Sequence, residues 1–215
     1  MSDSERRAQA ASGLLITLEG IEGVGKSTQA QFVSNWFSQR GRDTLLTREP
    51  GGTAAGEAIR SILLDKSQTG LHADAELLLI FAARAQHLQE LVLPALKAGQ
   101  VVVCDRFTDA SYAYQGGGRG LAEDRIETLE QWVQQGLQPD LTLLLDAQVS
   151  VGRQRAGRRS SADRFEMEAV SFFEKVREAY LQRAATHDRI CVIDASGTPA
   201  DVSSEIARVL AVWST

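Results

Sequence analysis

Five short runs of the chain are almost continuously apolar: residues 14–19 (LLITLE), 43–47 (DTLLT), 101–105 (VVVCD), 141–146 (LTLLLD) and 190–194 (ICVID). A strand with one wet face alternates apolar with polar, whereas a strand covered on both faces reads like these. Longer stretches with helical character lie between them, at residues 26–40, 54–64, 74–97, 122–135, 166–185 and 199–212. The repeated order of strand then helix predicts a parallel sheet with helices on both sides, joined by right-handed crossovers. Ligands of such sheets sit beyond the carboxyl ends of the strands. Asp124, ahead of a periodic stretch, and Pro199, in a first helical turn, mark helix starts. Gly, Pro and Ser content makes loops of residues 49–53, 115–120 and 156–163.

Composition narrows this to one globular domain. The chain has 215 residues, 43% hydrophobic and 24% charged, with 18 Gly and 4 Pro, and neither a repeat nor a linker-like break. One domain over residues 13–215 is expected, preceded by a frayed tail over residues 1–12. A net charge of -5 argues against a nucleic-acid-wrapping surface. The longest apolar run, residues 77–83, is far short of the ~20 residues that cross a bilayer, and the polar first thirteen residues do not read as a secretion signal. Cys104 and Cys191 lie in β-branched runs and read as free thiols, which fits a reducing cytoplasm.

Chemistry enters with Gly20-Ile21-Glu22-Gly23-Val24-Gly25-Lys26-Ser27, a G-x-x-x-x-G-K-[ST] string directly after a strand and at the start of a helix. Its glycines let successive backbone N–H groups converge on phosphate oxygens, and the helix N-terminus adds positive partial charge. ATP binding is therefore expected at Gly20, Glu22, Gly23, Val24, Gly25, Lys26, Ser27 and Thr28. Lys26 supplies charge to the β- and γ-phosphates, and Ser27 a hydroxyl to the Mg²⁺ that accompanies ATP. A guanine-reading Asn-Lys-x-Asp string is absent.

Further strings follow in order: Thr47-Arg48-Glu49-Pro50-Gly51-Gly52-Thr53, Phe81-Ala82-Ala83-Arg84, Asp105-Arg106-Phe107, and Tyr112-Ala113-Tyr114-Gln115 running into the glycines 116–118. With the phosphate loop, these strings resemble those of bacterial thymidylate kinases from about Leu14 to the C-terminus. The resemblance implies a three-layer P-loop NTPase fold, α/β, with a five-stranded parallel sheet flanked by helices and a short mobile lid at about residues 150–164. It also implies transfer of phosphate from ATP to dTMP on the route to dTTP, a Mg²⁺ cofactor and a homodimer.

The resemblance assigns roles residue by residue. Arg48 grips the acceptor monophosphate beside Pro50, whose bond to Glu49 is expected to be cis. Glu22 accepts from the deoxyribose 3′-hydroxyl; a solvated loop carboxylate is the alternative. Arg106 lies between donor and acceptor phosphates and Asp105 orients Mg²⁺, making Lys26, Asp105 and Arg106 catalytic; a structural ion pair is the alternative. Arg84 donates to thymine O4. The stacking aromatic is Phe81, or the position four before Arg84, which is Ile80 here. Ser111 and Gln115 border the base or acceptor phosphate, and the Tyr114 ring excludes a ribose 2′-hydroxyl. Arg153, Arg155, Arg158, Arg159 and Arg164 crowd the lid region, where either Arg158 or Arg159 approaches ATP on closure; a solvated charged face is the alternative. The histidines show no metal spacing, and Trp36, Trp132 and Trp213 read as helix packing. Two rivals remain: another nucleoside or nucleoside-monophosphate kinase, and an ATP-controlled binding switch, against which the acceptor-side trio Arg48, Arg84 and Tyr114 argues.

Overall fold

A computed structural model of the chain describes residues 13–157 and 163–213. The five apolar runs form the strands β1 (Leu14–Glu19), β2 (Thr44–Arg48), β3 (Val101–Asp105), β4 (Leu141–Asp146) and β5 (Ile190–Asp194). They pair in parallel in the order β2-β3-β1-β4-β5. The three central strands are the continuously buried ones, while β2 and β5 at the edges expose Leu46 and Val192.

Period-two geometry splits the strand side chains between two helix layers. Ile16, Leu18, Val101 and Val103 join one core with α1 (Lys26–Ser38), α8 (Val170–Thr186) and α9 (Pro199–Trp213). Leu15, Val102 and Cys104 face the opposite layer, meeting Leu88, Val92 and Ala95. On that side α2 (Ala54–Leu64) leads to α3 (Ala73–His87), and α3 packs on α6 (Glu123–Gln134) through Leu77, Phe81, Tyr112 and Ile126.

Several boundaries differ from the sequence reading for identifiable reasons. The stretch at 74–97 is three pieces: α3, a π-helical turn at Leu88–Val92, and α4 (Leu93–Lys97), where Pro94 has no N–H to continue the ladder. Asp124 lies inside the first turn of α6, whose cap position is Ala122, and α8 starts at Val170 rather than 166. The glycine run expected to be a loop is helical: α5 (Thr108–Ser111) continues as a π-helical segment, Tyr112–Gly118. Its glycines serve close approach to α8. A Cβ at Gly117 would lie 2.6 Å from Ala179 Cβ, and one at Gly118 only 2.5 Å from the Phe172 ring. A short helix, α7 (Val149–Ala156), occupies the start of the expected lid. Trp132 is 74% exposed rather than packed. The tail 1–12 and the lid residues Arg158 and Arg159 lie outside the described residues.

Candidate active site

The carboxyl ends of β1, β2 and β3 open into one cleft of about 360 Å³, within the size range of small-molecule sites. The loop from Gly20 to Ser27 forms one end, between β1 and α1. Gly20, Gly23 and Gly25 have φ of +131°, +78° and +97°, values an L side chain resists. A Cβ on Gly23 would also lie 2.0 Å from the Gly152 carbonyl oxygen, so the loop rests against the backbone of α7. Glu22, Gly23, Lys26 and Ser27 line the cleft; Gly20, Val24 and Gly25 shape the loop behind it, and Thr28 lies exposed in the first turn of α1, outside the cleft lining.

The Lys26 ammonium donates to the Ile21 carbonyl at 2.7 Å. Burial lowers its pKa to about 8, and the positive charge of Arg106 adds to the effect. Strand register sets the next contact: Leu18 lies opposite Asp105, so the end of β3 meets the start of α1, and Ser27 Oγ donates to Asp105 Oδ2 at 2.7 Å. A hydroxyl and a carboxylate at a phosphate cradle are hard oxygen donors of the kind Mg²⁺ takes alongside phosphate and water.

Arg106 follows Asp105 with φ +72°, a left-handed conformation uncommon for a residue with a side chain. Its guanidinium is braced on both sides. Nη1 donates to the Gly20 carbonyl at 3.0 Å and to the Tyr180 hydroxyl at 3.3 Å; Nη2 donates to Glu22 Oε1 at 2.9 Å and to the Tyr114 hydroxyl at 3.0 Å. Each tyrosine in turn donates to a carboxylate, Tyr114 to Glu22 at 2.8 Å and Tyr180 to Glu19 at 2.7 Å. Glu19 also accepts from the Phe107 amide at 2.7 Å, and its pKa is pushed up by burial, with the charge of Asp109 adding to it. This arrangement holds one delocalised cation at the centre of the cleft in a fixed orientation, suited to a transferring phosphoryl group.

The far end is made of side chains from distant segments. Arg48, at the tip of β2, is half-exposed and meets Glu57 at 3.0 Å. The Glu49–Pro50 bond is cis. Glu49 is buried and divides its carboxylate between Arg84 Nε at 2.7 Å and His87 Nδ1 at 2.9 Å. Burial alone would raise its pKa, yet Arg84 and His87 hold it below the ordinary carboxylate value. An ionised Glu49 needs a donor at Nδ1, so His87 Nε2 accepts from Thr47 Oγ1 at 2.7 Å when the ring is neutral. Arg84 Nη2 donates to the Phe107 carbonyl at 3.1 Å and to Ser111 Oγ at 3.2 Å. Its Nη1 is buried without a hydrogen-bond partner among the described residues. Gln115 lines the same wall and donates from Nε2 to Glu76 at 2.8 Å.

The structure thus gathers Glu22, Lys26, Ser27, Arg48, Pro50, Arg84, Asp105, Arg106, Ser111, Tyr114 and Gln115 around one cleft. Phe81 stands apart from the lining: it lies in the α3–α6 core beneath Arg84, its ring 4.5 Å from the guanidinium carbon, while Ile80 takes the cleft wall. Glu19, Glu76, Tyr180 and Arg60, which donates to the Pro50 carbonyl at 2.8 Å on the cleft wall, were not singled out by sequence reasoning, and His87 was read there only as an ordinary histidine. A carboxylate closing an otherwise apolar strand just before Gly20 was the available signal for Glu19; the others carry no local signature.

A family model described as thymidylate kinase matches residues 18–206. The thymidylate kinase of Thiobacillus denitrificans is 57% identical over 199 residues, covering 92% of this chain and 96% of its own. That of Ectopseudomonas mendocina is 56% identical over 202 residues, covering 93% and 95%. The chain belongs to the thymidylate kinase family. The crystal structure of thymidylate kinase from Ehrlichia chaffeensis superposes with a TM-score of 0.77 at 29% identity, covering 93% of this chain and 99% of that one. Membership makes the chain a nucleotide-binding kinase and fits the P-loop fold that the motifs predict; neither rival reading is favoured. Among the described residues no helix is long and apolar enough to cross a membrane.

Proposed function

We propose that the protein transfers the γ-phosphoryl group of ATP to the 5′-phosphate of dTMP, giving dTDP. The observation that carries this reading is the cleft itself: a phosphate loop at one end and, at the other, a buried arginine whose Nη1 has no partner among the described residues. A buried donor left unmade costs free energy, and a base carbonyl such as thymine O4 satisfies it. Gln115 completes the base edge, and the Tyr114 ring takes the space beside the sugar.

The acceptor phosphate is already ionised near neutral pH, so the residues position and neutralise rather than abstract a proton. Lys26 holds the donor phosphates, Arg48 the acceptor phosphate, and Arg106 the charge that spreads between them. Ser27 and Asp105 would hold Mg²⁺, which offsets the charge of the ATP phosphates. Glu22 accepts from the 3′-hydroxyl while still bracing Arg106. One of the lid arginines, Arg158 or Arg159, is proposed to reach ATP on closure. Exposed Leu78 on α3 and Trp132 on α6, two helices that pack together, suit the apolar contact of a homodimer. The buried, free thiol of Cys104 suits a reducing cytoplasm. A coupled assay with ATP and competing dTMP, dUMP, dCMP, AMP and deoxythymidine tests the reading: dTMP is the preferred acceptor, and preference for a non-thymine acceptor overturns it.

A further inference from the structure

Glu76, in the first turn of α3, is a fully buried carboxylate outside the cleft lining. Both of its oxygens are occupied. Oε1 accepts from Gln115 Nε2 at 2.8 Å and from Arg119 Nε at 3.2 Å; Oε2 accepts from Arg119 Nη2 at 3.2 Å and from Arg164 Nη2 at 2.6 Å. Neither arginine is free to leave. Arg164 is tied through Nε to the Leu63 carbonyl at 2.7 Å, and Arg119 also pairs with Glu168. Two guanidiniums make this carboxylate an acceptor only.

That settles an ambiguity a side-chain amide otherwise keeps. An amide can present either its NH₂ or its carbonyl to a neighbour, and the hydrogen-bond network decides which. Against an acceptor-only Glu76, Gln115 must point its NH₂ inward. Its Oε1, which receives no hydrogen bond from the described residues, is then the end left for a ligand.

The consequence concerns which base the cleft accepts. Thymine and uracil offer an N3–H donor beside an O4 acceptor, whereas cytosine offers an N3 acceptor beside an N4 amino donor. Arg84 Nη1 as donor and Gln115 Oε1 as acceptor fit the first pattern and oppose the second at both positions. We propose that Glu76 is a positioning residue for base specificity: by fixing the polarity of Gln115 it makes the cleft reject cytosine nucleotides. The inference rests on the acceptor reading given above.

Glu76→Gln tests it, because a neutral amide at 76 can donate to Gln115 and release it to turn over. The ratio of kcat/KM for dTMP over dCMP should fall at least ~10-fold, since turning Gln115 over removes one of the two mismatches against cytosine and creates one against thymine, while Arg84 still opposes the N4 amino group. Glu76→Asp, which keeps an acceptor, should preserve the ratio even where both activities drop; a merely structural role predicts equal losses for both substrates in both variants. An unchanged ratio in folded Glu76→Gln, with wild-type protein active on dTMP, overturns the role of Glu76 alone, whereas wild-type protein inactive on dTMP overturns the acceptor reading. Should Glu76→Gln not fold, the wild-type Gln115 side-chain amide protons, identified by their loss in Gln115→Leu, decide by NMR. They should resist solvent exchange before and after dTMP is added; protection that appears only with dTMP would overturn the proposal.

Discussion

The two ends of the cleft are built by different means. At the donor end the cradle is backbone: glycines in conformations that L side chains resist, a helix N-terminus, and a single lysine. At the acceptor end it is side chains, each held by another. Arg84 is held by Glu49, Glu49 by His87, and His87 by Thr47, residues from β2, the loop after it and the end of α3. Backbone needs only the right local string. Side-chain recognition in a dry site needs a supporting shell, because every buried polar group must find a partner.

Arg106 belongs to both ends, and its removal should have the largest effect. Replacing it with alanine leaves the junction of the two phosphate chains without its fixed cation, and kcat should fall by ~10³-fold or more, with smaller changes in both KM values. Single-turnover measurement of phosphoryl transfer checks this. If kcat stayed within a few-fold of wild type while binding weakened, the arginine would be a binding group only.

Glu49→Ala should break the acceptor end as a structure. It strands the Arg84 charge in the core and removes the partner of His87 Nδ1, so unfolding free energy should drop by about 3–5 kcal/mol. Denaturant titration measures it. Since the native fold holds the Glu49 pKa below its unfolded value, its contribution is present at neutral pH and is lost as pH falls through the acidic range. The alanine variant should therefore lose less stability than wild type between neutral and acid.

The contrast between the ends also sets what sequence could reveal. The five strands, the phosphate loop and its helix were legible because each is written in a contiguous stretch: apolar runs, a glycine spacing, a lysine at a helix start. Arg48, Arg84, Tyr114 and Gln115 carried no local sign of a shared site and were reached through resemblance. Phe81 shows the limit of that route. Three residues before Arg84 on a helix, it shares the arginine's side, yet the packing of α3 on α6 takes the ring into the core and leaves Ile80 on the cleft. Glu76 and Tyr180 act through partners 39 and 74 residues away, separations that no periodicity encodes.

A pH dependence follows for the donor end. Lys26 has a pKa of about 8 against 10.5 for a free lysine, so in the empty protein it loses its proton as pH rises through 8. ATP phosphates favour the charged form and raise that pKa. Between the two values binding takes up a proton, and affinity falls with rising pH, at most ~10-fold per unit for one proton. Calorimetry at pH 8.5 in buffers of different ionisation enthalpy should show net uptake on ATP binding, and Lys26→Arg should abolish it. Proton release, or uptake that persists in the arginine variant, would assign the linkage to another group.

The smallest effect separates burial from distance. Arg125 and Asp74 form an ion pair at 2.7 Å, the same length as the closest approach of Arg84 to Glu49, but with side chains 57% and 45% exposed rather than nearly dry. In water the Coulomb attraction is weak and the ordering of long side chains offsets much of it, so Arg125→Ala should cost about 0–1 kcal/mol, less at high salt. A double-mutant cycle with Asp74→Ala isolates the pair. A coupling near zero would make desolvation of the surroundings, rather than the N···O distance, the source of the acceptor end's rigidity. A coupling comparable with the loss in Glu49→Ala would mean that the two pairs are worth the same, and the distinction between a dry, shelled acceptor wall and an ordinary charged surface would disappear.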